Sequence, residues 1–155
     1  MPVIQHTVSI QAPVERCFDL ARNVDVHTQT TAATKEKAVG GVTTGLLKLG
    51  DEVVWEALHF GVKQRLTARI IEMEAPRRFV DVMVKGAFDS FVHQHEFIGR
   101  PDGSTLMVDN FEYKSPLGVL GKLADRLFLE RYMRRFLKER ALALKELAEG
   151  NRSFS

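Results

Sequence analysis

The chain is short of several things, and each shortage removes a class of protein. A single cysteine, Cys17, in 155 residues allows no internal disulfide, which excludes a small disulfide-stapled scaffold. No apolar run approaches the roughly 20 residues needed to cross a bilayer as a helix, so stable membrane insertion is not expected. The opening "MPVIQHTVSI" lacks the basic start and continuous apolar stretch of a secretory leader, and the expected compartment is the cytoplasm. Excess charge of one sign is missing too. The 22 basic and 20 acidic residues leave a net +2 spread along the chain, which gives no footprint for a nucleic-acid partner.

What is present is ordinary for a globular protein: 45% hydrophobic and 27% charged residues, with no bias toward disorder or collagen. A chain of this length can bury roughly two-thirds of its unfolded surface around one core. The expectation is a single domain over residues 1–150 with a tail at 151–155, acting as a monomer or homodimer.

Residues Val3 to Ile10 alternate, with Ile4, Val8 and Ile10 on one face and His6 among them, which predicts a half-buried strand. "APVERCFDLARN" follows, with Pro13 suited to a first helical turn and Val14, Cys17, Phe18 and Ala21 at helical spacing. The segment from Val24 to Leu49 has weaker periodicity and is expected to hold a second short helix and a short strand. From Asp51 to Tyr113 strand patterns are separated by turn signals near Phe60 and Gly61, at "EAPR", at "KGAF" and at "GRPDGS". This reads as an antiparallel meander. From Pro116 to Glu149 the pattern is helical, with Ser115 as N-cap and Gly150 as terminator. Gly118 and Gly121 weaken its first turns, and residues 117–129 are a candidate mobile gate.

Register follows from the faces. A two-residue turn at Phe60 and Gly61 pairs Trp55 with Leu66, Ala57 with Gln64 and Val53 with Ala68, and sets Glu56 opposite Arg65 as a favourable charge pair. Trp55, Ala57, His59, Gln64 and Leu66 then face inward. Carried across "EAPR", the same register pairs Ile70 with Asp81 and turns Asp81 inward. The opposite face of strand 79–85, with Val80, Val82 and Val84, is more apolar and competes for that orientation. In "FVHQHEF", Phe91, His93, His95 and Phe97 share a face. The expected pairing puts His93 between Asp81 and Asp109, Met107 opposite His95 and Phe111 opposite Phe91. His95 is then a packed or rim histidine beside Phe79. A polar row of Asp81, His93 and Asp109 on an apolar inner surface must be paired or wet, and a ligand cavity would meet that need.

The order of elements resembles the helix-grip fold of the START-like superfamily, also called SRPBCC. "VSIQAPVERCFDLARNVD", "GLLKLGDEVVWEALHFG", "PRRFVDVMVKGAFDSFVHQHEF", "GSTLMVDNFEYKSPLG" and "LADRLFLERYMRRFLKER" resemble the bacterial branch described as polyketide cyclase/dehydrase-like, over nearly the whole chain. The resemblance implies an α+β fold, in which a curved antiparallel sheet of about seven strands wraps a long C-terminal helix, with two short helices after the first strand. It also implies an elongated cavity for an apolar or amphipathic ligand.

The candidate ligand-binding residues are Trp55, His59, Gln64, Leu66, Asp81, His93, Asp109, Phe111, Leu123, Leu127 and Phe136. Binding or transport of a lipid, quinone or aromatic polyketide is the favoured function, ahead of enzyme activity. The alternative is a cyclase or dehydratase using His93 with Asp81 or Asp109, since a histidine held by carboxylates has a fixed tautomer suited to acid or base work. A protein-interaction module with a filled cavity is the second alternative. His93 and His95 could both ligate a metal from one strand, with His59, Asp81, Asp109 or His6 completing the set. No cysteine cluster or second histidine motif supports that set, so no metal and no cofactor is expected. Cys17 reads as a small core residue. Arg131, Arg134, Arg135, Lys138 and Arg140 read as a solvated helix face.

Overall fold

The computed structural model describes residues 2–59, 61–115 and 128–150. Along the described chain the order is β1 (Val3–Ile10), α1 (Val14–Ala21), α2 (Val24–Thr30), a 3-10 turn (Ala32–Thr34), β2 (Lys37–Gly41), β3 (Glu52–His59), β4 (Val62–Glu74), β5 (Arg78–Lys85), β6 (Ser90–Gly99), β7 (Thr105–Lys114) and α3 (Glu130–Ala148). The strands form one antiparallel sheet in the order β1-β7-β6-β5-β4-β3-β2. β1 therefore closes against the last strand, while the rest follow as a meander. Residues 116–127 lie outside the described residues. The expected cap at Ser115 on Pro116, the contributions of Leu123 and Leu127, and most of the proposed gate fall there.

Local chemistry accounts for the short elements. In α1 the spacing of Cys17, Phe18 and Ala21 buries one face. Pro13 stands just before the helix as its extended N-cap residue, and not inside the first turn. Asn23 starts α2 by accepting hydrogen bonds from the Asp25 and Val26 amides at 2.9 and 3.2 Å, as a capping side chain does. Arg16 on α1 donates to the Ala148 and Leu147 carbonyls at 2.8 and 3.0 Å, placing a cation on the C-terminal end of α3 where free carbonyls favour it. Gly41 has φ +67°, and a Cβ there would sit 2.2 Å from the Glu52 carbonyl oxygen. Only glycine fits at this end of β2.

The β3–β4 hairpin has the expected register: Trp55 pairs with Leu66, Ala57 with Gln64, Val53 with Ala68 and Glu56 with Arg65. Arg65 Nε donates to Glu56 Oε2 at 3.0 Å. Ile70 pairs with Asp81 and Ala68 with Met83, with irregularities at Thr67/Ala68 and Ile70/Glu72, and Asp81 faces inward. The β6–β7 pairing differs from the expectation by two residues. His93 stands opposite Phe111, His95 opposite Asp109, Phe97 opposite Met107 and Phe91 opposite Tyr113. The cause lies in the loop, which is centred on Asp102 and not on Pro101. Asp102 accepts from the Ser104 amide and hydroxyl at 2.9 and 2.6 Å, and Gly103 takes φ +87°. A shift of two keeps every side chain on its face, so the inward set survives while its pairs change.

α3 packs against one face of the sheet, and the core forms two clusters along it. Ala141, Leu144, Leu147 and Ala148 pack with Ile10, Phe18, Ile70, Phe79 and Phe97. Met133 and Leu137 pack with Ile4, Phe91, Phe111 and Tyr113. Each fully buried large side chain contributes roughly 1.5–3 kcal/mol of transfer free energy. Arg140 falls where the two clusters meet.

Candidate functional site: a cavity with a polar wall

Between the sheet and α3 lies a cavity of about 310 Å³. Of the eleven expected ligand-binding residues, Trp55, His59, Gln64, Leu66, Asp81, His93, Phe111 and Phe136 line it. Asp109 does not reach the wall and stands behind His93. Leu123 and Leu127 lie outside the described residues. The aromatic part of the wall comes from Trp55, Phe88, Phe91, Phe111, Tyr132 and Phe136.

A tetrad runs from the wall into the sheet: Asp81 and His93 line the cavity, and His95 and Asp109 lie buried behind them. His93 and His95 project from alternate positions of β6, so both face inward, with ring centroids 3.8 Å apart. His93 Nε2–H donates to Asp109 Oδ1 at 3.1 Å, and His95 Nε2–H donates to Asp81 Oδ1 at 2.7 Å. His95 Nδ1 also lies 3.2 Å from Asp109 Oδ1. His95 is thus no rim residue. It is 3% exposed, bridges both aspartates, and stacks on Phe79 with centroids 4.1 Å apart. The row expected around His93 is centred on His95.

The charges of the tetrad follow from this arrangement. Burial opposes ionisation of Asp109 and Asp81, and the hydrogen bonds and charges of the histidines outweigh it, holding both carboxyls below their usual range. Burial also opposes the charged form of His95, yet the two carboxylates raise its pKa above the ordinary value. His93 goes the other way: burial and then the neighbouring His95 charge lower it, and Asp109 offsets them only in part. The arrangement therefore favours the imidazolium at His95, between two carboxylates, and the neutral imidazole at His93. Asp81, His93 and His95 offer three metal-ligand atoms within 4.8 Å of one another. In this arrangement those atoms are engaged with the carboxylates and imidazoles of the tetrad.

The structure adds polar wall residues that sequence reasoning missed. His27 of α2 and Glu36 before β2 both line the cavity, and so does Arg140 of α3. His27 Nε2–H donates to Glu36 Oε1 at 2.9 Å. Burial and then Arg140 lower the His27 pKa against the pull of Glu36. Burial disfavours ionised Glu36, but His27, Arg140 and Thr34 outweigh it and hold the carboxyl below its usual value. Arg140 is not part of the solvated basic face expected for it, whereas Arg131, Arg134, Arg135 and Lys138 are exposed. The signal that separates Arg140 is its spacing, four residues after Phe136 and three after Leu137, which puts it on the inward stripe. At another part of the wall Tyr132 Oη donates to His59 Nδ1 at 2.5 Å. Burial lowers the His59 pKa and raises that of Tyr132, which agrees with a neutral ring accepting from a protonated phenol.

A sheet gripping a C-terminal helix, with two short helices after the first strand and a cavity between, defines the helix-grip class. The chain belongs to the family described as polyketide cyclase / dehydrase and lipid transport, whose model matches residues 1–149. It is similar in structure to a protein of Thermus thermophilus at 19% identity and TM-score 0.80, covering 98% of this chain and 100% of that one. A START superfamily protein from Mycobacterium smegmatis is similar at 14% identity and TM-score 0.74, covering 97% and 99%. Norcoclaurine synthase from Thalictrum flavum, solved with dopamine and hydroxybenzaldehyde, is similar at 12% identity and TM-score 0.69, covering 99% and 89%. A search of curated proteins finds no match. Among the described residues no helix is long and apolar enough to cross a membrane.

Proposed function

We propose that the protein binds or carries a hydrophobic or amphipathic small molecule, of lipid, quinone or aromatic polyketide type, between the sheet and α3. The observation that carries this reading is the cavity itself. Its 310 Å³ reaches the lower end of the range for small-molecule sites, about 300–1,000 Å³. A mostly apolar wall, rich in rings, with a few convergent polar groups is the composition such sites have. The small volume and the ring-rich lining favour a compact ligand over a long acyl chain. The aromatic compounds bound to norcoclaurine synthase are consistent with that choice.

A second reading, acid or base chemistry at His93, has one specific support. The His93 ring lines the cavity and is held from behind by Asp109, and burial favours its neutral form. Native mass spectrometry of protein purified from its own host, followed by identification of released compounds, tests the carrier reading. A stoichiometric apolar adduct is expected. No adduct, together with no binding to a panel of lipids, quinones and aromatic compounds, would rule the reading out.

A further inference from the structure

The pair His27–Glu36 has the arrangement of a base with its orienting carboxylate. Both oxygens of Glu36 accept hydrogen bonds, from His27 Nε2–H at 2.9 Å and from Thr34 Oγ1–H at 3.1 Å. Trp55 lies against the imidazole with ring centroids 4.1 Å apart, which fixes the plane of the ring. An ionised carboxylate only accepts, so Nε2 carries a proton, and in the neutral ring that burial and Arg140 favour, Nδ1 keeps its lone pair. Nδ1 has no hydrogen-bond partner among the described residues, and the His27 side chain retains 17% of its exposure. A free imidazole lone pair therefore belongs to a residue of the cavity wall.

Arg140 supplies the complementary group. It lines the same cavity, its Nε is buried without a partner, and it forms no ion pair among the described residues. The nearby carboxylates are already engaged, Glu36 by His27 and Thr34, and Asp81 by His95. A partly desolvated guanidinium with open donors is costly until an oxygen acceptor meets it. That wall already holds Glu36 and Asp81 against Arg140 and His95. A neutral carbonyl oxygen, which gains negative charge only during reaction, suits it better than a ligand that arrives as an anion.

We infer that the cavity takes a neutral aromatic ketone and moves a proton at the carbon beside its carbonyl, with His27 as the base, Glu36 as a positioning residue and Arg140 donating to the carbonyl oxygen. The inference rests on the ligand-binding reading above. His27 Nδ1 takes the proton, and the C–H electron pair becomes the enolate double bond. The carbonyl π pair then moves onto the oxygen beneath the Arg140 N–H groups. Return of a proton from the imidazolium to carbon completes the exchange, and nothing is oxidised or reduced.

The test uses the full chain with 2-tetralone in D2O, following loss of the α-proton signals by NMR. The single tryptophan, Trp55, reports binding by fluorescence. Exchange at least about ten-fold faster than with equimolar free imidazole is expected. His27→Gln, which keeps a donor for Glu36, should reduce it to background without loss of binding. His27→Ala should regain exchange on addition of imidazole, a rescue that a structural role does not produce. Glu36→Gln should slow exchange with Trp55 quenching unchanged, and Arg140→Met should slow it as well. Tetralone that binds without faster exchange, or a His27→Gln variant as fast as the wild type, overturns the inference and leaves the carrier reading standing. Failure of tetralone to bind while N-phenyl-1-naphthylamine does bind has the same consequence. If neither compound binds, both readings fail.

Discussion

His93 and Asp109 are bonded across a diagonal of the sheet. Their backbones are two register positions apart, His93 facing Phe111 and Asp109 facing His95, yet Nε2 reaches Oδ1 at 3.1 Å. The diagonal leaves Asp109 within reach of both histidines and makes it the anchor of the tetrad. Removing one member of a buried charged pair leaves the other uncompensated, at about 3–5 kcal/mol. Asp109→Ala should therefore lose about 3 kcal/mol of stability in urea denaturation, with the slope unchanged. A loss below about 1 kcal/mol would mean that the tetrad is not a buried ionic unit.

The tetrad also sets a pH dependence whose sign can be worked out. The folded pKa of His95 is raised, so its contribution is complete below the unfolded value of about 6.5 and is lost as pH rises through the raised value. Asp109 is depressed; its contribution is complete above about pH 4 and is lost as pH falls. His93 is lowered and acts against His95, since its neutral form is stabilising above about pH 6.5. Above about pH 6.5, where His93 is neutral and the aspartates are ionised in both the folded and unfolded states, the stability difference between wild type and His95→Gln isolates the first term. That difference should shrink as pH rises above about 6.5 and through the raised value, and a flat or growing difference would contradict the assignment.

Cys17 is fully buried and its thiol is pushed up by burial, so it should be inert in the native state. Its reaction with a thiol-specific reagent should require unfolding and be suppressed by about the folding equilibrium constant, 10³-fold or more. A native-state rate close to that in urea would show that α1 opens readily.

Ala57 is buried and lines the cavity from β3. Ala57→Phe should fill part of that space and weaken N-phenyl-1-naphthylamine binding about ten-fold or more. The accompanying loss of stability should be no more than the 1–3 kcal/mol typical of overpacking. Unchanged affinity would place the probe elsewhere.

Alternation and a turn signal are enough to place Trp55 opposite Leu66, because Glu56 and Arg65 on the outer face demand the same register. Asp81 can be turned inward by carrying that pairing one strand further, despite the more apolar opposite face. The step to β7 fails because loop length depends on the Asp102–Ser104 bonds and the left-handed Gly103, and composition alone does not specify these. His27 and Glu36 are illegible for a different reason. They meet through a seven-residue helix and a 3-10 turn, where no periodic pattern relates one to the other. Arg140 is hidden by its charge, since the cations of one helix look alike until their spacing to Phe136 and Leu137 is counted.

The central claim is a small apolar ligand between sheet and helix, and chemical-shift mapping with N-phenyl-1-naphthylamine tests it most directly. Saturable binding should shift the Trp55 indole and the rings of Phe111, Phe136 and Tyr132 together, along with the His93 imidazole. No saturable binding, or shifts confined to the outer face of the sheet around Lys63 and Arg69, would contradict it.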